Sequence, residues 1–239
     1  MDKKLNGLVL RSVAYGEKDK ILTILTLEEG LVSAKIKGVK GAGAKLKFAS
    51  EPFCFAEFVF AETGDKKTVT GASIYDGFYP LRENINKFYA GMTVLEFCLK
   101  FCLDQEPSPE IFEKATEALS SLAYSDKDPS KILIAFLLEG LKYSGYFLNT
   151  QTCLYCETEI EGRVFFQSSS GGFLCLDCVG ETGMEVSCFT YRVLRKTETG
   201  EEFDEQENLH ITRALKLLDF YMEDRAETSL KALKDFIAL

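Results

Sequence analysis

The first third of the chain alternates short hydrophobic runs with turn signals. Runs rich in Val, Ile, Leu, Thr and Phe occupy residues 6–15, 21–27, 32–37, 53–60 and 67–75. Such runs are typical of β-strands. In the third run, a period of two turns Val32, Ala34 and Ile36 inward and turns Lys35 and Lys37 outward. Five short strands within residues 1–80 predict a small closed β-barrel of the OB-fold type.

Beyond residue 80 the spacing of apolar residues changes to three and four. Between Ile85 and Cys102 they recur at these helical steps. Ser108 and Asp128 each precede a proline, and an N-cap residue followed by Pro marks the start of a helix. Further helices are predicted over residues 208–222 and 229–238. An α-helical domain, residues 81–239, is therefore expected to follow the barrel, which makes the chain a multi-domain protein of α and β structure.

Four cysteines interrupt the predicted helical domain as two matched pairs. The pattern is Cys153-x2-Cys156-x18-Cys175-x2-Cys178. Two such pairs suit a tetrahedral zinc ion, because each pair offers two thiolates to one metal. Four thiolates fill every position, so we predict one structural Zn2+ per chain, held by a zinc-finger insert over residues 151–180. The same residues leave a second interpretation open, a redox-active Cys-x-x-Cys pair.

The segments around these pairs add two smaller predictions. Residues 163–167 and 172–174 are expected to form a hairpin between the two pairs. The other four cysteines are expected to pack in cores as small apolar residues. They are Cys54, Cys98, Cys102 and Cys188.

Charge is distributed unevenly along the chain. The net charge is -9, yet residues 1–50 carry +5 and the rest carries -14. Between residues 31 and 50 there are five lysines and no acid, around a glycine-rich loop that lacks the Lys-Ser/Thr ending of a nucleotide-binding loop. These lysines are Lys35, Lys37, Lys40, Lys45 and Lys47. Lysines on a strand face and a flexible loop can follow a phosphate backbone without reading bases, although a solvated charged face would show the same pattern.

Other functional classes find little support in the residues. The longest aliphatic-aromatic run, residues 132–138, is far shorter than the roughly 20 residues that cross a bilayer. Near the N-terminus the apolar stretch stops at Arg11, so we expect no secretory signal there. We therefore expect a cytoplasmic protein that does not span a membrane. His210 is the only histidine, and no pair of carboxylates is set apart by its spacing. The sequence thus predicts a binding protein rather than an enzyme.

A family resemblance joins these features. Residues 7–22 read GLVLRSVAYGEKDKIL, residues 26–30 read TLEEG, and Lys37-Gly38 follows. This beginning resembles the RecO family of recombinational DNA-repair proteins. The order of barrel, helices, four-cysteine insert and closing helices also fits, as do Thr212-Arg213-Ala214-Leu215 and Leu230-Lys231.

The resemblance implies a DNA repair and homologous recombination mediator. Such a protein binds single- and double-stranded DNA, anneals strands, and acts with RecR to load RecA onto DNA coated with single-stranded DNA-binding protein. The basic residues at matching positions, which it implies as DNA contacts, are Arg11, Lys18, Lys20, Lys37 and Lys40. Lys35, Lys45 and Lys47 join this set from the charge argument alone. For the acidic tail of single-stranded DNA-binding protein, Arg213 and Lys216 are candidate contacts on an otherwise apolar helix.

Two other functions compete with this interpretation. One is a zinc-stabilised protein-interaction scaffold whose lysines serve solubility and bind no DNA. The other is a thiol-disulfide oxidoreductase that uses one Cys-x-x-Cys pair.

Overall fold

The chain divides into two compact units. A computed structural model describes residues 2–41, 43–64, 66–180 and 183–239. Unit 1 ends at Ser125 and unit 2 begins at Asp126. Ala42 of the glycine-rich loop and Asp65 of the turn between the last two predicted strands lie outside the described residues.

Unit 1 begins with a closed five-stranded barrel. Its strands are β1 (Asp2–Tyr15), β2 (Asp19–Thr26), β3 (Gly30–Ile36), β4 (Phe55–Thr63) and β5 (Lys66–Asp76). Their order is β1-β2-β3-β5-β4, and β1 pairs with β4 to close the barrel. All pairs are antiparallel except β3 with β5, which run parallel. The predicted OB-type barrel is confirmed.

Alternation along the strands produces the barrel core. Val32, Ala34 and Ile36 are buried as predicted, and Phe58 and Phe60 are buried in the same cluster. The segment over residues 37–50, which contains the glycine-rich loop, also contributes to this core, although the sequence indicated a flexible connection there. Two of its apolar residues are buried among the strands and two more are packed against them. These residues are Val39, Ala49, Leu46 and Phe48.

Two helices complete unit 1. They are α1 (Ile85–Phe101) and α2 (Pro109–Tyr124), and Asn84 caps the first by accepting the Lys87 N–H. The segment between them pairs with the start of β3, where Leu31 N donates to Leu103 O at 3.0 Å. Gly30 has φ +66, and a Cβ there would lie 2.1 Å from Glu106 O, so this contact requires glycine. The expected domain boundary near residue 80 stays a prediction. In the structure, these helices belong to the same compact unit as the barrel.

Unit 2 combines five helices with a small sheet among its described residues. The helices are α3 (Pro129–Tyr143), α4 (Cys188–Thr199), α5 (Glu205–Asn208), α6 (Ile211–Ala226) and α7 (Lys231–Ile237). The strands are β6 (Asn149–Cys153), β7 (Val164–Gln167), β8 (Gly172–Cys175) and β9 (Met184–Val186), in the order β6-β8-β7-β9. The predicted hairpin is confirmed, because β7 and β8 pair antiparallel across a turn in which Gly171 has φ +68.

The sequence did not predict helices α4 and α5 of unit 2. Helix α4 is rich in Thr, Tyr, Phe and Val, which favour strands over helices. It forms because Tyr191 and Leu194 are buried on one side, so packing overrides the local preference. In the described part of the chain, no helix combines the length and the apolar character that a membrane span requires.

Candidate metal centre and nucleic-acid surface

The four predicted cysteines converge at one end of the small sheet. Their sulfur atoms all lie within 4.8 Å of one another, and the Sγ atoms of Cys156 and Cys175 are 3.8 Å apart. Cys153 ends β6 and Cys175 ends β8, and these neighbouring strands run parallel, so both pairs emerge on the same side. We call these four residues the cysteine cluster. It could hold a metal ion.

The local backbone already favours thiolate at the innermost cysteine. Burial by itself would raise the pKa of Cys153, but N–H groups of Cys156, Cys175 and Tyr155 point at its sulfur and lower that pKa to about 6. The Cys178 thiol interacts with Cys175 and Cys156, and its pKa is raised to about 12. A cation that binds the four sulfurs would displace the protons that remain on them.

Three of the four remaining cysteines are buried, as the sequence predicts, and the fourth is half-buried. Cys54, Cys98 and Cys102 are buried, while Cys188, at the first turn of α4, is half-buried. Burial raises the pKa of Cys54 to about 12, so this thiol stays protonated. Among the described residues, these cysteines form no second cluster of potential metal ligands.

The eight predicted DNA contacts lie on β1, β2, β3 and the turns and loop that follow them. We call them the basic surface: Arg11, Lys18, Lys20, Lys35, Lys37, Lys40, Lys45 and Lys47. Six of the eight are exposed, and only Lys20 and Lys35 are half-buried. The β1–β2 turn and the start of the loop are joined, because Lys40 N donates to Lys18 O and Lys40 Nζ donates to Gly16 O at 2.8 Å.

Two of these eight cations are paired with acids. Lys35 Nζ lies 2.8 Å from Asp19 Oδ2, and Lys20 Nζ lies 2.8 Å from Glu51 Oε1. The bond from Lys35 and the Gly38 N–H hold the pKa of Asp19 below its usual value, so this acid stays ionised. The other six have no carboxylate within ion-pair distance among the described residues. They are Arg11, Lys18, Lys37, Lys40, Lys45 and Lys47.

Three acids of the barrel, Glu29, Glu57 and Glu62, are paired with a different set of lysines. Glu29 pairs with Lys3 and Lys67, and Glu57 pairs with Lys4 at 2.7 Å. These lysines lie outside the basic surface. The pairing therefore leaves the basic surface with an excess of positive charge, although the whole chain is acidic.

An exposed tyrosine within the basic surface was not singled out from the sequence. Tyr15 ends β1, and Lys35 Nζ lies 4.7 Å from the centre of its ring. The phenylalanines of the fourth predicted strand are buried at positions 53, 58 and 60 and half-buried at position 55. The exposure of Tyr15 could have been inferred from strand alternation. Tyr15 and Arg11 lie an even number of residues apart on β1, so their side chains face the same, outward side.

The predicted partner contacts lie on one helix of unit 2. Arg213 and Lys216 are both exposed on α6, three residues apart and therefore on neighbouring positions of its surface. His210 precedes this helix and is half-buried, with its Nδ1 3.1 Å from the Thr190 hydroxyl. Burial and nearby Arg213 lower the pKa of His210, so it is neutral at pH 7.

Comparison with known proteins agrees with both halves of this description. A sequence model described as "Recombination protein O N terminal" matches residues 1–78, and one described as "Recombination protein O C terminal" matches residues 82–234. A protein named DNA repair protein RecO from Anaeromyxobacter sp. (strain K) is 33% identical over 74% of this chain and 71% of its own. The protein of that name from Acetivibrio thermocellus is 25% identical over 98% of this chain and 95% of its own. These matches, across the barrel and the helical region, show that the chain belongs to the recombination protein O family and has a role in DNA repair and recombination.

Proposed function

We propose that the protein is a recombination mediator that binds single- and double-stranded DNA through the basic surface of its barrel and works by binding rather than by covalent catalysis. The observation that supports this most directly is the excess of unpaired, exposed cations on one part of an otherwise acidic chain. Cations concentrated on one surface attract phosphates, and the acidic remainder repels them, so DNA is confined to that surface. A bound strand and its complement can then meet in register and anneal.

The protein partners follow from the family and from charge. We propose that RecR and the acidic C-terminal tail of single-stranded DNA-binding protein bind this chain, so that RecA is loaded onto coated strands. Arg213 and Lys216 supply two exposed cations for the acidic tail. This role places the protein in the cytoplasm, at the nucleoid when it is active.

We propose zinc as the metal of the cysteine cluster. A tetrahedron with Zn–S bonds of about 2.3 Å has sulfur–sulfur edges of about 3.8 Å. The Cys156–Cys175 distance of 3.8 Å fits that edge. Four cysteine ligands leave no position for substrate or water, so the ion would brace the fold without acting on DNA.

A thiol assay separates zinc binding from redox chemistry. We expect four thiols to be protected from alkylation until a chelator is added, together with one zinc per chain. Two rapidly reacting thiols that form a reversible disulfide would instead support the oxidoreductase.

Charge reversal tests the DNA surface. Lys37 is exposed and unpaired within the basic surface, whereas Lys231 is exposed at the first turn of α7 in unit 2. We expect Lys37→Glu to lower affinity for DNA on the order of tenfold and to reduce the slope of log affinity against log salt by about one. The matched control Lys231→Glu changes the net charge equally and should leave both quantities unchanged.

Three results would contradict the proposal. If the wild-type protein bound neither strand form at low salt, the scaffold interpretation would be favoured. If Lys37→Glu and Lys231→Glu weakened binding equally, the effect would come from net charge and not from this surface. If Lys37→Glu had no effect, the DNA would bind elsewhere.

A further inference from the structure

Tyr15 is an exposed aromatic residue at the end of β1, in contact with Lys35 of the basic surface. It lies on the outer face of β1, where Val13 precedes it with the same parity, and 54% of its surface is exposed to solvent. Its hydroxyl makes no hydrogen bond to any residue that the structure describes. Folding of the barrel therefore does not explain an aromatic ring at this position, because the core lies on the opposite face of the strand.

Three lysines lie near Tyr15 and the β1–β2 turn, which also carries the exposed acid Glu17. Lys35 Nζ lies 4.7 Å from the ring centre, which is the arrangement of a cation–π contact. The next residue, Gly16, accepts a hydrogen bond from Lys40 Nζ, and Lys18 lies two residues further along the same turn. The only acid placed opposite Tyr15 in the β1–β2 pairing is Asp19, which is paired with Lys35.

A ring among cations is suited to a ligand that is both aromatic and anionic. Unpaired bases stack on aromatic side chains while the phosphates between them contact nearby cations. In a duplex the faces of the bases are already covered by their neighbours, so an exposed ring gains little from it. Phosphate contacts alone would not distinguish the two forms, whereas a stacking ring would.

We propose that Tyr15 stacks on a base of bound DNA and gives the basic surface its preference for single strands over duplex. This inference rests on the proposed function, and it adds a strand preference that phosphate contacts do not provide. Lys35 covers part of one side of the ring, and its ion pair with Asp19 keeps it there. The exposed part of the ring is then available to one base, and Lys18 and Lys40 lie close to the adjoining phosphates.

The chain offers a fluorescence test without background. It contains no tryptophan, so Tyr15→Trp introduces a single indole at the proposed contact. Stacking on a base should quench this fluorescence when an oligothymidine is added. An abasic oligonucleotide of the same length carries the same phosphates but no bases, and it should quench far less. Quenching of equal size by both oligonucleotides would overturn the proposal.

A second tyrosine provides a matched control. Tyr79 is 61% exposed, and Arg82 Cζ lies 5.4 Å from its ring centre, so it also combines exposure with a nearby cation. It lies in a 3-10 helix after the barrel strands, not on the basic surface. Tyr79→Trp should show no quenching by oligothymidine. Quenching there as strong as at Tyr15 would remove the specificity of the inference.

Affinity measurements separate this inference from the proposed function. We expect Tyr15→Ala to weaken binding of oligothymidine on the order of tenfold and Tyr15→Phe to restore it, because the ring and not the hydroxyl makes the contact. Binding of a duplex of equal length should change by less than about twofold, with the salt slope unchanged, because no phosphate contact is lost. Thermal unfolding of each variant establishes that the barrel is intact.

The outcomes assign failure to one proposal or the other. If the wild-type protein binds no DNA, both proposals fall. If it binds DNA in a salt-dependent manner and loses affinity with Lys37→Glu, but Tyr15→Ala leaves the ratio of single-strand to duplex affinity unchanged, only the stacking inference falls. An equal loss for both strand forms would also contradict stacking, since it would indicate a general disturbance of the basic surface.

Discussion

The two sheets of this protein are stabilised in different ways. The barrel has strands of 7 to 14 residues that close on themselves, and their inward side chains form a continuous apolar core. The sheet of unit 2 has strands of 3 to 5 residues in an open order, and the β6–β8 register is irregular between Asn149 and Cys153. The cysteine cluster lies where β6 and β8 end. A closed barrel satisfies its own backbone, whereas a short open sheet needs a brace.

Buried polar groups show the same contrast. Among the described residues of unit 1, the buried polar side chains are Thr26, Ser50 and Thr93, all uncharged. Unit 2 buries a full carboxylate, Glu207, beside Lys196. Unit 2 therefore contains a buried ion pair of a kind that the described part of unit 1 lacks. Removing this pair should affect unit 2 and leave the barrel unchanged.

Loss of the proposed zinc should produce the largest difference between the two units. With a chelator, or with Cys153→Ser, we expect zinc to be lost and unit 2 to be destabilised by several kcal/mol or more. Hydrogen exchange measured by mass spectrometry should show faster exchange in β6, β7 and β8 and unchanged exchange in β1–β5. The reason is that no strand of the barrel carries a residue of the cysteine cluster, whereas β6 ends at Cys153 and β8 ends at Cys175.

The control for this experiment is a cysteine outside the cluster. Cys188 is half-buried at the start of α4, so Cys188→Ser tests the chemistry of the substitution without touching the cluster. Its zinc content should match that of the wild type. Equal loss of protection in the barrel and in the small sheet would refute the claim that only one sheet needs the brace.

Truncation of a core phenylalanine should give the next largest effect. Its consequence for zinc retention should differ between the two units. Phe58 in the barrel and Phe173 on β8 are both fully buried. Either change to Ala should cost about 3–5 kcal/mol. Phe58→Ala should leave zinc affinity unchanged, whereas Phe173→Ala should also weaken zinc retention, because β8 carries Cys175 two residues later. Denaturant unfolding and zinc release measured on both variants check this, and unaltered zinc retention in Phe173→Ala would contradict it.

Local patterns predicted the barrel better than the fold of unit 2, for physical reasons. Period-two alternation in residues 32–36 shows which side chains face a core, without knowledge of the other residues in that core. Val32, Ala34 and Ile36 are buried accordingly. The cysteine spacing likewise reports ligand geometry directly. Helix α4 and strand β9 were missed, because α4 has strand-favouring residues and β9 has only three residues, and both depend on packing against distant segments.

The candidate DNA site was only partly predictable. Composition indicated a basic surface, and Lys37 and Lys40 are exposed as expected. The pairing of Lys20 with Glu51, 31 residues away, could not be inferred from local sequence, because it depends on how the barrel closes. The exposure of Tyr15 could have been inferred from strand parity, but its contact with Lys35 required the β1–β2–β3 register.

A smaller effect should follow from neutralising the buried acid of unit 2. Glu207 is 1% exposed, accepts a bond from Lys196 Nζ at 2.7 Å, and bonds the backbone N–H of Asp204 in a capping box. We expect Glu207→Gln to lower the free energy of unfolding of unit 2 by about 1–3 kcal/mol, because a charged hydrogen bond is replaced by a weaker one. The exposed neighbour gives the control Glu205→Gln, which should change it by about 0.5 kcal/mol or less. Similar losses of unfolding free energy in the two variants would show that the buried Glu207–Lys196 pair contributes no more stability than an exposed carboxylate.

The smallest expected effect concerns a polar link inside unit 1, between the end of β5 and the end of α2. The Tyr124 hydroxyl donates to Asp76 at 2.7 Å, and loss of hydration together with this bond raises the pKa of Tyr124 to about 12. An unfolded tyrosine has a pKa of about 10, so the stabilisation is fully present below about pH 10 and is lost as pH rises towards 12.

Tyr124→Phe removes both the bond and its titration. The wild type should be slightly more stable than this variant at pH 8, and the difference in free energy of unfolding should shrink as pH rises from about 10 to 12. The effect is small because 59% of Tyr124 is exposed and water competes for the bond. Comparing urea midpoints of the two proteins at each pH cancels the titration of the other tyrosines and lysines. A difference that stayed constant over this range would mean that the bond to Asp76 does not raise the pKa of Tyr124.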